Sequence, residues 1–155
     1  MREKIFAIGD DFWIETGGGE RAFKVDGKAL RLRKTLVIET PSGKELFTVR
    51  ERKLSVRDKM SIERDGDTVA TIKKALIGIR ERYNVNLDAG GELHAKGNIV
   101  DHESEIERDG HTVAQVSKRW FRVRDTYGIE IALGQDEILV LAVAVAVDAM
   151  AARAD

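Results

Sequence analysis

Apolar and polar residues alternate with a period of two along most of the chain, from Lys4 to about Leu133. This alternation is typical of β-strands that have one buried and one solvent-facing side. Pairs such as Asp65-Gly66 and Asp109-Gly110 interrupt the alternation at short intervals. They favour hairpin turns, because glycine adopts positive φ at little cost. The pattern predicts about twelve short antiparallel strands in this part of the chain.

The pattern changes after Gly134. Asp136 is a good helix N-cap, and Ile138–Val147 is an uninterrupted apolar run. The alternating Val and Ala would also fit a strand, but the cap, the Ala-rich continuation and the length favour a helix over Asp136–Ala152. A helix that is apolar all round has to be covered on every side. We therefore expect a mainly β (α+β) single domain over residues 1–155, a closed antiparallel barrel of about twelve strands enclosing a central hydrophobic C-terminal helix.

The chain contains an internal repeat. Residues 62–83 align without gaps on residues 106–127, and both copies contain the segments Ile-Glu-Arg-Asp-Gly and Thr-Val-Ala. A lysine recurs at Lys74 and Lys118. Repetition of one hairpin unit is expected in an antiparallel barrel. The match is longer than the shared constraints of two unrelated hairpins would produce, so we predict two related hairpins.

Composition and charge narrow the function classes. The formal net charge is −1, so the 155-residue chain has no global basic field and we expect no nucleic-acid partner. The absence of cysteine excludes disulfides, thiolate nucleophiles and cysteine-ligated metals. The N-terminus lacks the apolar core of a signal peptide, and Ile138–Val147 is shorter than the ~20 residues of a membrane span. We expect no transmembrane segment and a cytoplasmic location, with peripheral attachment to a membrane as the variant.

The sequence offers little for catalysis. His94, His102 and His111 lack the local spacing of metal ligands. Gly17-Gly18-Gly19 lacks the following helix and the lysine that a phosphate-binding loop needs. No acid–base pair or nucleophile can be positioned from the sequence. We therefore expect a protein that is not an enzyme and has no cofactor and no metal site.

Basic residues cluster in the same part of both copies, and a lysine (Lys74 and Lys118) and an arginine (Arg80 and Arg124) fall at matching positions. They are the candidate anion-binding residues: Lys73, Lys74 and Arg80 in the first copy, and Lys118, Arg119 and Arg124 in the second. Alternation places Arg80 and Arg124 on the wet face but Lys74 and Lys118 on the dry face. For these lysines either the strand ends, or a bulge reverses its phase, or they stand at a barrel mouth, because an unpartnered buried lysine would be too costly. The competing interpretation is a solvated edge, with lysines that block strand pairing.

Several segments together resemble the LURP-one-related family. They are Lys24–Leu30, Lys53–Arg57, Lys96–Asn98, Asp125–Ile131, Gln135–Leu141 and Asp148. The resemblance runs from about Lys4 to Met150 and rests on the order and spacing of these segments. It implies a tubby-like fold, a twelve-stranded barrel around a central hydrophobic C-terminal helix.

What the resemblance implies about function is broader. Tubby domains bind phosphoinositides, phospholipid scramblases are thought to share the fold, and plant members of the family are linked to pathogen defence. No lipid-binding motif of those relatives falls on numbered positions of this chain. We expect a non-catalytic binding module for anionic phospholipid head groups or a membrane surface. The alternative is a structural or regulatory protein that acts through association with a protein partner.

Overall fold

The computed structural model describes residues 3–8, 13–27, 35–51, 59–77, 80–99, 101, 103–118 and 127–153. The strands are β1 (Glu3–Ile8), β2 (Trp13–Thr16), β3 (Arg21–Gly27), β4 (Thr35–Glu39), β5 (Glu45–Glu51), β6 (Lys59–Arg64), β7 (Asp67–Ile77), β8 (Arg80–Leu87), β9 (Glu92–Asn98), β10 (Glu103–Arg108), β11 (His111–Ser117) and β12 (Tyr127–Ala132). One helix follows them, α1 (Glu137–Arg153).

The strands pair in chain order. Each strand is antiparallel to the strand before and after it, and β1 pairs with both β2 and β12. The expectations of a mainly β chain, a large antiparallel sheet and one C-terminal helix are confirmed. The period-two pattern predicted the strands, because alternate side chains of a strand face opposite sides of the sheet.

The repeat of the sequence has a counterpart in the hairpins β6–β7 and β10–β11. Asp65 and Asp109 both have φ of 52°, and the glycine after each also has positive φ. This pair of positive angles is the signature of a tight two-residue hairpin turn. Each hairpin then has a register shift at the same aligned position, between Ile62 and Glu63 and between Ile106 and Glu107. The two copies therefore share a turn and a bulge.

The helix α1 lies one residue later than the expected Asp136–Ala152. Asp136 caps it, since its Oδ1 accepts a hydrogen bond of 3.2 Å from the backbone N–H of Leu139. Residues 140–147 are all buried, and they form one apolar core with inward-facing strand residues such as Ile62, Ile72 and Val85. The helix packs against β5, β6, β7 and β12. Its apolar surface is thus covered by the strands, as an all-apolar helix requires.

Because neighbouring strands are antiparallel, the connections between them alternate between two ends. The turn end consists of residues 17–20, 40–44, 65–66, 88–91, 109–110 and 133–136. The helix begins at this end, where Asp136 Oδ2 lies 3.7 Å from Arg64 Nη2 of the β6–β7 hairpin. We call the opposite end the helix-exit end. Lys59 at the start of β6, Lys73 near the end of β7 and Lys118 after β11 all lie toward it.

The helix core generates one prediction. Val143 has no exposed surface, so Val143→Asp buries an uncompensated carboxylate and should cost several kcal/mol, which is comparable with the total stability of about 5–15 kcal/mol of an ordinary domain. We expect loss of cooperative thermal unfolding by circular dichroism. Leu133→Asp, at a side chain that is 41% exposed, is the control and should unfold like the original protein. Native-like melting of the Val143 variant would show that the helix is not central.

A second prediction concerns the close approach of β9 and β10. Gly97 has φ of +118°, and a Cβ there would stand 2.9 Å from the carbonyl oxygen of Glu103 and 3.0 Å from Ser104 Cα. Gly97→Ala should therefore lower the free energy of unfolding by about 1–3 kcal/mol, measured by urea denaturation. The matched control is Gly18→Ala, where the nearest atom to the added Cβ is Thr16 Oγ1 at 3.8 Å. Equal stability of both variants would contradict the close approach.

Candidate functional site

The residues proposed from the sequence do not form one cluster. Lys73 is exposed, whereas Lys74 is half-buried on the opposite side of β7. Lys118 is exposed at the end of β11, four strands away from β7, which is about 19 Å along the wall at ~4.8 Å per strand. Arg80 begins β8, but its side chain lies outside the described residues. Arg119 and Arg124 lie wholly outside them.

Alternation placed Lys74 and Lys118 on the dry face of their strands, and the structure gives a different explanation for each. The β7–β8 register runs without a shift from Ala70 to Ile77, so neither a bulge nor a strand end occurs at Lys74. Lys74 is the cross-strand partner of the fully buried Tyr83 and lies toward the helix-exit end of β7. Lys118, in contrast, follows directly after the last residue of β11, where the strand has ended.

A different pair of lysines meets on the outer wall. Lys59 of β6 and Lys73 of β7 are direct cross-strand partners on the solvent side of the sheet. Directly opposed side chains have Cβ atoms about 4.5–5.5 Å apart, and like charges in this arrangement are destabilising. The register therefore places two lysines directly opposite each other on this wall.

Two arginines flank this pair. Arg50 is the partner of Ser61, one diagonal step from Lys59, and Arg82 is the partner of Ala75, one diagonal step from Lys73. Diagonal neighbours lie about 7–8 Å apart. Arg50 is partly neutralised, because its Nε lies 2.8 Å from Glu63 Oε2. We call Arg50, Lys59, Lys73 and Arg82 the basic face.

Hydrogen-bond donors complete the basic face. The Nε atom of Arg82 is buried and has no hydrogen-bond partner among the described residues. The guanidinium also has an acidic neighbour: the pKa of Glu107 is lowered chiefly by its hydrogen bond with Lys96 and further by the charge of Arg82. Asn84, the other cross-strand partner of Lys73, is held by His94, whose Nδ1 lies 2.8 Å from Asn84 Oδ1. With its oxygen engaged in this way, the amide nitrogen of Asn84 is the donor end.

The second hairpin supplies an internal comparison. Adding the repeat interval to Lys59 and Lys73 (62 aligns with 106) leads to Glu103 and Ser117. Ser117 Oγ donates a hydrogen bond of 3.0 Å to Glu103 Oε1, and the backbone N–H of Lys118 donates to the same oxygen at 3.2 Å. One copy of the hairpin thus satisfies this position internally, whereas the other places two like charges there. The fold itself does not require the lysine pair.

One interior cleft among the described residues is small. A cleft of about 20 Å³ lies between α1 and strands β9–β12, and its polar lining residues are Ser104, Tyr127 and Asp148. That volume holds about one water molecule. Burial raises the pKa of the Tyr127 phenol well above its usual range, and the Asp148 carboxylate adds to this shift. Tyr127 therefore stays protonated at neutral pH, and the cleft is too small for an organic ligand.

Other kinds of site find no support in the described part of the chain. Within it, no group of three or more His, Asp or Glu side chains is arranged to hold a metal ion. No helix among the same residues has the length and apolar character needed to cross a membrane.

Sequence reasoning missed Lys59 as a site residue. Alternation does place Lys59 on the polar side of its strand. Its pairing with Lys73, however, depends on the register of β6 against β7, which the Asp65-Gly66 turn and the bulge at Glu63 set together. The usable signal was the repeat: a lysine pair stands where the second copy has glutamate and serine.

Comparison with known proteins agrees with the fold. A curated relative, the uncharacterized protein YxjI of Bacillus subtilis (strain 168), is 26% identical over 96 residues, which is 60% of this chain and 59% of the relative. The match therefore spans less than two thirds of the relative's length. An X-ray structure of a protein from Arabidopsis thaliana superimposes with a TM-score of 0.71 at 18% identity, covering 95% of this chain and 91% of that one. This likeness concerns the fold alone.

The assignment to a family rests on a longer match. The family model described as LURP-one-related matches residues 1–148 of the 155 in the chain. All the segments in which the sequence resembles that family lie within this match. With a match over nearly its whole length, the protein belongs to the LURP-one-related family.

Proposed function

We propose that this protein is a non-catalytic binding module whose basic face recognises anionic phospholipid head groups at a membrane surface. The observation that carries the proposal is the direct cross-strand pairing of Lys59 with Lys73. A phosphate or carboxylate placed between the two ammonium groups would remove their repulsion. Each Lys or Arg close to an anionic membrane contributes about 1 kcal/mol of attraction. Lys59, Lys73 and Arg82, together with an Arg50 that Glu63 partly neutralises, would therefore support reversible peripheral binding.

The proposal goes beyond what family membership supplies. The curated relative is itself uncharacterized, and the match covers 59% of it, so the activity of the whole protein and its partners are part of the proposal. A protein partner with an acidic surface is the other occupant that the same charges would accept. The experiment below separates these occupants, because a vesicle contains no protein.

We also propose that the ring of strands stays closed in solution through pairing of β1 with β12. Support comes from the register, in which all six residues of β1 have partners, from Glu3 with Ala132 to Ile8 with Tyr127. A closed ring removes the unpaired edges through which sheets aggregate. It would also keep α1 covered on the side of β12.

The membrane proposal makes a prediction for a double variant in which the lysine pair is replaced by the residues of the second hairpin. Lys59→Glu with Lys73→Ser installs the residues that the second hairpin has at these positions, so the folded state should be as stable as before or more stable. Binding to phosphatidylserine-containing vesicles in a flotation assay should fall about 100-fold, since three charges at about 1 kcal/mol each are lost. Vesicles of pure phosphatidylcholine should bind neither protein, and added salt should weaken binding to the anionic vesicles.

The matched control is Lys44→Glu with Arg108→Ser, which changes the net charge by the same amount but lies toward the turn end. It should float like the original protein. Equal loss in both double variants would mean that only net charge matters. Absence of flotation for the original protein would reject the membrane proposal and leave an acidic protein partner to be sought by pull-down with the same variants.

Closure of the ring is tested by amide hydrogen exchange. Residues of β12 such as Ile129 and Ile131 have partners in both β1 and β11, so amides facing either neighbour should exchange slowly. The inner amides of β7, which lies between β6 and β8, provide the reference for a fully paired strand. Fast exchange confined to the β12 amides that face β1 would show an open edge and contradict the closure.

A further inference from the structure

The two related hairpins carry opposite charges on the outer wall. The outward-facing residues of β10 are Glu103, Glu105 and Glu107, and Glu130 of β12 stands next to Gln115 of β11. One cation interrupts this acidic face: Lys96 Nζ lies 2.8 Å from Glu107 Oε1 and 3.5 Å from Glu105 Oε1. The hydrogen bond with Lys96 lowers the pKa of Glu107. Glu107 is thus ionised at neutral pH.

The lysine pair of the basic face lies far from the second hairpin, although Arg82, at the edge of the basic face, is within electrostatic reach of Glu107. Lys73 of β7 and Ser117 of β11 occupy equivalent positions four steps apart in a ring of twelve strands, which separates them by about 19 Å along the wall. The Debye length at physiological ionic strength is about 8 Å. A charged surface therefore responds to whichever face it meets, and the net charge of −1 does not decide the interaction.

The turn end is acidic as well. Its connections contain one lysine, Lys44, against the acidic residues Glu20, Asp65, Asp88, Asp109 and Asp136. An approach of this end to an anionic surface would bring like charges together. Of these three described surfaces, only the basic face is complementary to such a surface.

We propose that the barrel meets an anionic membrane side-on, with β6–β8 against the lipid head groups and with β10–β12 and the turn end facing water. This orientation rests on the proposed membrane function and adds to it which wall makes the contact. The acidic face and the acidic turn end are repelled by the anionic membrane, which sets the orientation. The lysine pair and the arginines on either side of that pair are attracted to the membrane, which maintains the orientation. The two copies of the repeat thus share a backbone but differ in surface charge: the first copy forms the wall that contacts the membrane, and the second forms a wall that faces water.

The internal repeat provides a matched pair of probe positions. Thr71 of β7 faces outward between Ser61 and Asn86, and its equivalent in the second copy is Gln115 of β11, between Glu105 and Glu130. The chain has no cysteine, so Thr71→Cys and Gln115→Cys each give one attachment site for an environment-sensitive fluorophore. Circular dichroism of both labelled proteins establishes that they are folded.

The full chain with each label is titrated with phosphatidylserine-containing vesicles and with phosphatidylcholine vesicles, and flotation is measured on the same samples. We expect a blue shift and a several-fold rise in emission for the label at position 71 with the anionic vesicles, and little change at position 115. Inositol hexakisphosphate serves as a soluble polyanion. If this polyanion changes the emission of the label at position 71 as much as the vesicles do, the basic face binds anions without a membrane contact. That result would overturn the side-on orientation.

Two further outcomes separate the inference from the function on which it rests. Flotation together with equal emission changes at positions 71 and 115 would leave the membrane function intact and overturn the orientation. A larger change at position 115 would do the same. Absence of flotation for both labelled proteins and for the unlabelled protein would reject the membrane function itself.

Discussion

The structure depends on covering one helix. Residues 140–147 of α1 are buried on every side, and a helix without a polar face has no stable place at a protein surface. The strands have the complementary need, because each has one apolar side that requires a filling. A wall of antiparallel strands around the helix meets both demands. Among the described residues, a cleft between the helix and strands β9–β12 has a volume of about 20 Å³, which is too small for an organic ligand.

The duplicated hairpin separates what the fold requires from what it merely allows. Both copies keep the Asp-Gly turn with its positive φ values and the bulge that follows it. At the equivalent outer position one copy has a glutamate that accepts hydrogen bonds from Ser117 and Lys118, and the other has two opposed lysines. A backbone that accepts both solutions does not select between them. The backbone therefore does not account for the lysine pair, and this difference between the copies is what motivates the proposed binding of an anion.

Local electrostatics also explains why the overall charge is a poor guide here. A net charge of −1 excludes a strong global field, but salt limits the reach of a surface charge to about 8 Å. Lys73 of β7 lies about 19 Å from β11 along the sheet, whereas Arg82 of β8 remains within electrostatic reach of Glu107 of β10. Each wall then presents its own sign to a partner, and near-neutrality of the chain hides two charged surfaces.

The sequence alone determined the strands, the helix and the family. Alternation with a period of two follows from the geometry of a strand, Asp136 caps the helix as its side-chain chemistry predicts, and the order of segments pointed to the LURP-one-related family. The sequence could also show that lysines recur at positions 73–74 and 118. Only the tertiary structure decided their neighbours: Lys73 meets Lys59, whereas Lys74 lies opposite Tyr83. The reason is that the sequence of one strand specifies which side a residue faces, but the register between strands, set by turns and bulges, specifies what it faces.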